Sequence, residues 1–197
     1  MKHLPRSVYA FTLIELLVVV SILGILITLV ATQAPKALDT ARMTQTLNNA
    51  RQLQLATLNM SVDTAAAGSG VSWTTGTNGE TLSVSTFSQA LMDGKYVTGA
   101  ELQKLYTAKG IVINNTNFAA NNIAFAIMAT SESTPSDQPF LITKNWQSGA
   151  LTTNAPYGDL GFVVFTKGGS GGKYTRATDA NNPSVVGTNY GALTPLN

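Results

Sequence analysis

The sequence predicts an α+β protein: a long N-terminal helix, membrane-spanning in its first half, packed on a small globular head with an antiparallel sheet. Three observations carry that expectation. They are an apolar run near the N-terminus, a glycine-free helix-favouring stretch directly after it, and turn-bounded apolar segments further on. At 197 residues the chain has room for one globular body and one appendage.

Residues 1–10, MKHLPRSVYA, are short and basic. The apolar run that follows, Phe11 to Ala31, is interrupted only by Thr12, Glu15, Ser21, Gly24 and Thr28. About 20 such residues cross a bilayer as a helix. Lys2 and Arg6 on its flank place the N-terminus in the cytoplasm by the positive-inside bias, so the rest of the chain is exported. Residues 35–60 stay helix-friendly, with no glycine and few β-branched residues. At 100° per residue Met43, Leu47, Ala50 and Leu58 share one side, with Leu55 nearby and Leu38, Ala41 and Leu53 elsewhere, which predicts a broad apolar surface with more than one packing partner. Pro35 is expected to bend or locally break the helix, because it lacks an N–H and crowds the preceding turn.

Beyond Ser61 the Gly/Ser/Thr-rich stretches TAAAGSGVSW and TTGTNGE read as loop. Two short helices are expected next, one capped by Ser85 and stopped at Gly94, the other capped by Thr98 and stopped at Gly110. Segments 121–129, 138–146 and 160–169 read as strands, and KGGSGGK at 167–173 as a hairpin turn. Residues 173–197 show no periodicity, and a packed loop and a last strand both remain open. The predicted division is therefore 1–10 leader, 11–34 membrane helix, 35–60 amphipathic continuation and 61–197 head.

Composition excludes several chemistries. Only 11% of residues are charged and none is cysteine, so no disulfide, thiolate metal site or cysteine nucleophile exists. The chain has 12 basic and 10 acidic residues, and without Lys2 and Arg6 it is formally neutral, which gives no electrostatic footprint for nucleic acid. His3, the one histidine, lies in the first ten residues. KGGSGGK lacks the GxxxxGK[ST] spacing of a phosphate loop. Trp73 and Trp146 read as core anchors.

The segment Ala10–Phe11–Thr12–Leu13–Ile14–Glu15–Leu16, behind a short basic leader and ahead of an apolar then amphipathic helix, resembles the cleavage and methylation signature of type IV prepilins and type II secretion pseudopilins. The resemblance covers about residues 1–60 and extends to the head only as a general pilin-like layout. It implies that a membrane peptidase cuts between Ala10 and Phe11 and that the new amine of Phe11 is methylated. The family's usual residue before the cut is Gly; Ala10 is also small. It implies further that Glu15 pairs with the Phe11 amine of the neighbouring or the same subunit as subunits enter a filament. A carboxylate in an apolar span has a physical reason to seek such a partner, since the Asp/Lys/Arg class costs roughly 2.5–3.5 kcal/mol at the bilayer centre and less near an end. Gly24 and Pro35 fit the family's tendency to soften this helix and fit equally the tolerance of membrane helices for both residues. Because major pseudopilins hold calcium in a C-terminal loop, Asp179, Asn181 and Asn182 are the oxygen ligands such an ion would take, although their spacing matches no EF-hand. No cofactor is otherwise expected.

The implied function is a structural subunit of a type IV pilus-like filament, a type II secretion pseudopilin before a pilus subunit, and not an enzyme. Its expected partners are other pilin-like subunits, the prepilin peptidase and an inner-membrane assembly platform. The expected location is the bacterial inner membrane, single-pass with the head outside the cytoplasm, and then a periplasmic or surface filament. Two alternatives stay open: a membrane-anchored enzyme or binding protein, or minor pilin/adhesin, with an uncleaved anchor, and a secreted protein cut near Ala31 or Ala34. The apolar run is longer than the usual core of a cleaved signal.

Overall fold

The computed structural model describes residues 11–114, 116–187 and 193–197, apart from the Thr32 side chain. Helix α1 is Leu13–Ala67. It is unbroken at Pro35 and continues past the expected end at Met60, so the loop reading of the first residues after Ser61 is corrected. Ala65, Ala66 and Ala67 are strong helix formers. Ser61 does not act as a loop residue because its hydroxyl has partners in the head, Glu132 Oε2 at 2.9 Å and Ser72 Oγ at 3.0 Å.

The chain divides after Leu38 into two units. In the first, the described helix exposes its side chains all round. In the second, from Asp39 onward, α1 buries Met43, Thr46, Ala50, Leu53, Gln54, Ala56, Thr57 and Met60, the i, i+3, i+4, i+7 pattern of one helix face. That face keeps Met43 and Ala50 of the expected one, with Leu47 packed against the core, but turns away from the rest of it: Leu53 is inside, while Leu55 and Leu58 are exposed. Apolar spacing alone misplaced it because three of its members are polar and satisfied. Thr46 Oγ1 lies 2.6 Å from the Tyr157 hydroxyl, Thr57 Oγ1 donates to the Leu53 carbonyl at 2.8 Å, and Gln54 Nε2 donates to the Lys167 carbonyl at 2.8 Å.

Helix α2 is Val84–Asp93 and starts one residue before the predicted cap Ser85. Ser83 is the cap, accepting from the Thr86 N–H at 3.2 Å. The earlier start brings Val84 and Phe87 into the core. Gly94 ends the helix as expected. Helix α3, Gly99–Tyr106, begins with a Thr98/Glu101 capping box and stops at Thr107 rather than at Gly110. Gly110 instead takes φ 78° in the turn that brings Ala108 opposite Ile111.

Strands β1 (Phe125–Ile127), β2 (Pro139–Thr143), β5 (Phe162–Thr166) and β6 (Gly171–Tyr174) form one antiparallel sheet in the order β1-β2-β5-β6, and β3 (Trp146–Gln147) pairs with β4 (Ala150–Leu151) beside it. Every residue of β2 is buried, because both faces of the sheet are covered. On one side Phe125, Ile127, Phe140, Leu141 and Phe165 join Leu53, Ala56 and Met60 of α1 in a cluster that also holds Trp73 and Phe87. On the other, Ile142, Phe162 and Val164 meet Met128, Trp146, Ala180 and Val186. Both tryptophans are therefore core residues. The turn between β5 and β6 falls within 167–173, with Gly169 at φ 87°. Among the described residues, the C-terminal region supplies the end of β6, a 3-10 helix (Ala177–Asn181), α4 (Pro183–Val186) and an antiparallel bridge from Met128 to Pro195.

Candidate processing and assembly site at the helix start

The first turn of α1 carries the chemistry. Thr12 precedes the helix, and its hydroxyl accepts from the Glu15 N–H at 3.2 Å. The Glu15 Oε2 in return accepts from the Thr12 N–H and the Thr12 hydroxyl, both at 2.8 Å. This is a reciprocal capping box that satisfies two N–H groups at the helix start, and it fixes the carboxylate on the first turn where the helix dipole favours a negative charge. The sequence reading missed it, although the T-x-x-E signature was present at Thr12–Glu15.

Phe11 is exposed to 72% and directly precedes the capped turn. A chain beginning there has its free amine one residue from Thr12 and four from Glu15. Ala10, and with it the expected leader containing Lys2, His3 and Arg6, lies outside the described residues. Further along, the hydroxyls of Ser21 and Thr28 donate to the Leu17 and Ile25 carbonyls at 2.7 Å each, so neither polar group is left open in an apolar setting. Glu15 is then the one ionisable side chain in a run whose side chains the chain's own fold leaves uncovered, long and apolar enough to cross a membrane.

A family model described as the prokaryotic N-terminal methylation motif matches residues 5–31. The chain thus carries the N-terminal motif of type IV prepilin-like proteins. The matched stretch holds the basic leader end, Ala10 and Phe11, the Thr12–Glu15 box and the apolar run, and it leaves the head outside. No curated protein and no solved structure matches the chain. For this prepilin-like protein the N-terminal motif fits a membrane-anchored pilin processed by prepilin peptidase.

The calcium candidates sit at the end of the 3-10 helix. Asp179 and Asn181 belong to it, and the Asp179 carbonyl accepts from the Asn182 N–H at 3.3 Å. The Asn182 Oδ1 accepts from the Ser184 N–H at 3.0 Å as the cap of α4, so this side chain already has a structural task. Lys167 was not foreseen as a buried cation. Its Nζ donates to the Glu132 and Thr134 carbonyls at 2.7 and 2.8 Å and lies 5.0 Å from the Trp73 ring centre.

Proposed function

We propose that this chain is a structural subunit of a type IV pilus-like filament, of the type II secretion pseudopilin kind. In this reading it is cut between Ala10 and Phe11, methylated on Phe11, and held in the filament through its N-terminal helix, with Glu15 paired to the Phe11 amine of a neighbouring subunit. The observation that carries the reading is the capped first turn: it holds a lone carboxylate beside the processing point, at the head of an apolar helix that its own chain does not cover. The neutral exported part and the absence of cysteine favour a pseudopilin over an adhesin or a DNA-binding pilus subunit. The head then has no catalytic role, and the partners are other pilin-like subunits, prepilin peptidase and an inner-membrane assembly platform.

Glu15→Gln tests the reading, because the amide keeps the shape and loses the charge. Insertion and cleavage should continue, since a span without a carboxylate suits the bilayer at least as well. Filament entry should fail, because an unpaired buried ammonium commonly costs roughly 3–5 kcal/mol. Normal yields of sheared filaments from this variant, with normally processed subunit in the membrane, would reject the pairing.

A further inference from the structure

We propose that the exposed face of α1 in the head, formed by Arg51, Leu55, Leu58, Val62 and Ala66, is the seat for the apolar helix of a second copy of this chain, which meets it with Glu15, Val19, Ile22, Leu26 and Val30. The proposal rests on the filament reading and names the surface and the partner that the reading requires.

From Asp39 onward the described large apolar side chains left exposed are Leu55, Leu58, Val62, Val112 and Leu160. Three of the five lie on one helix face at i, i+3 and i+7, opposite the buried Leu53, Ala56 and Met60. A soluble head rarely carries such a stripe without a partner. Arg51 stands one turn before it, exposed, its side chain without a hydrogen bond or ion pair among the described residues. Asn59 alone shares the stripe as a polar neighbour, and no charge interrupts it.

The same spacing occurs in the apolar run. Glu15, Val19, Ile22, Leu26 and Val30 stand at the same intervals as Arg51, Leu55, Leu58, Val62 and Ala66, and each lies thirty-six residues before its counterpart. Thirty-six residues are ten turns at about 3.6 residues per turn, a shift of about 54 Å along a helix. Two parallel copies displaced by that shift set three apolar side chains against three, a β-branched valine against a small alanine, and a carboxylate against a guanidinium. The Glu15 carboxylate has capacity for a further partner, because its own contacts with Thr12 both run through Oε2 and Oε1 has no hydrogen bond among the described residues. An unshifted parallel pair does the opposite: it sets Glu15 beside Glu15 and Arg51 beside Arg51, which like-charge repulsion disfavours. Outside the bilayer the run has lost its lipid cover, and the stripe offers an apolar surface of matching pattern. The shifted pairing is also heterologous, so it continues from copy to copy as a filament needs.

The chain has no cysteine, so thiol pairs report the contact without background. In sheared filaments, Ile22→Cys with Leu58→Cys should link chains into a ladder on oxidation or with a short bifunctional thiol reagent. Leu13→Cys with Leu58→Cys, offset by nine residues or about 13 Å, should not. Filaments in which the 22/58 pair stays unlinked, in which 13/58 links as well, or in which Leu58→Cys alone gives paired dimers, overturn the proposal; the last outcome means that two stripes face each other. Arg51→Glu is the independent variant, since this exposed residue has no part in folding the head. Filament yield should fall about tenfold or more, the scale on which a lost desolvated charge pair acts, while membrane-bound subunit beginning at Phe11 stays at its normal level. Wild-type yield from Arg51→Glu overturns the pairing and leaves the processing reading intact. A native chain that starts at Phe11 and never assembles refutes the filament reading and this pairing together.

Discussion

The Gln54 amide on α1 donates to the Lys167 carbonyl at the start of the β5–β6 turn, at 2.8 Å, and both residues are buried. One hydrogen bond thereby ties the long helix to the sheet edge at the turn. On its other side, Lys167 sends its ammonium to the Glu132 and Thr134 carbonyls, so the loop between β1 and β2 is tied to the same point. Glu132 in turn accepts from Ser61 of α1, which closes the circuit back to the helix.

Gln54→Leu keeps the volume and leaves the Lys167 carbonyl without its donor. A buried acceptor stripped of its partner costs about 1–3 kcal/mol. The variant head should therefore show a lower urea midpoint with an unchanged slope, and an unchanged midpoint would mean that the bond contributes nothing net to stability.

Much of this was legible in sequence, and the failures have a common cause. The apolar run, the Thr98 cap, the Gly94 stop and the strand segments around Phe125, Phe140 and Phe162 could be read because their pattern is local. The buried face of α1 could be read only at Met43 and Ala50, because Gln54, Thr46 and Thr57 look like surface residues until Lys167 and Tyr157, more than a hundred positions away, provide partners for two of them. The extension of α1 beyond Met60 failed for the same reason, since Glu132 and Ser72 satisfy Ser61 from outside the helix. At the candidate site the residues were legible and their geometry was not: Glu15 stood out as a lone charge, while its capping role appears only when it is set beside Thr12.

Tyr106 gives the head an alkaline limit. Its ring is fully buried and its hydroxyl bonds to the Ser88 hydroxyl at 3.0 Å; burial pushes its pKa upward, outweighing that hydrogen bond. With the folded value above the ordinary 10.0, the unfolded chain releases this proton first. The stabilisation is complete below pH 10 and is lost as the pH climbs past it. Thermal melts across that range should fall for the native head and fall less steeply for Tyr106→Phe, which at neutral pH should lose only about 1 kcal/mol with its one hydrogen bond. Equal slopes for the two proteins would remove Tyr106 as the cause.

Removing residues 1–34 should yield a soluble, folded monomer. From Asp39 onward the chain forms a compact unit with two apolar clusters on the faces of its sheet and a third around Met43 and Tyr157, so the apolar run takes no part in its core. Circular dichroism with a cooperative melt and a single monomeric species in sedimentation are the expected results. Aggregation would show that the head depends on the residues removed.

Removing the capping hydroxyl with Thr12→Ala should loosen the first turn of α1 by about 1 kcal/mol, the usual worth of such a cap, while Thr12→Ser should retain it. Amide exchange at Glu15 in detergent micelles reads this directly: faster exchange is expected in the alanine variant alone, and unchanged exchange there would mean that the box is not holding the carboxylate.

The central claim is that this is a processed filament subunit, and the N-terminal residue of the protein isolated from its own cells, with its intact mass, tests it most directly. A chain that begins at Phe11 and is heavier by one methyl group is the predicted result. A chain that begins at Met1, or one cut near Ala31 or Ala34, contradicts it, because either form lacks the free Phe11 amine with which Glu15 is proposed to pair.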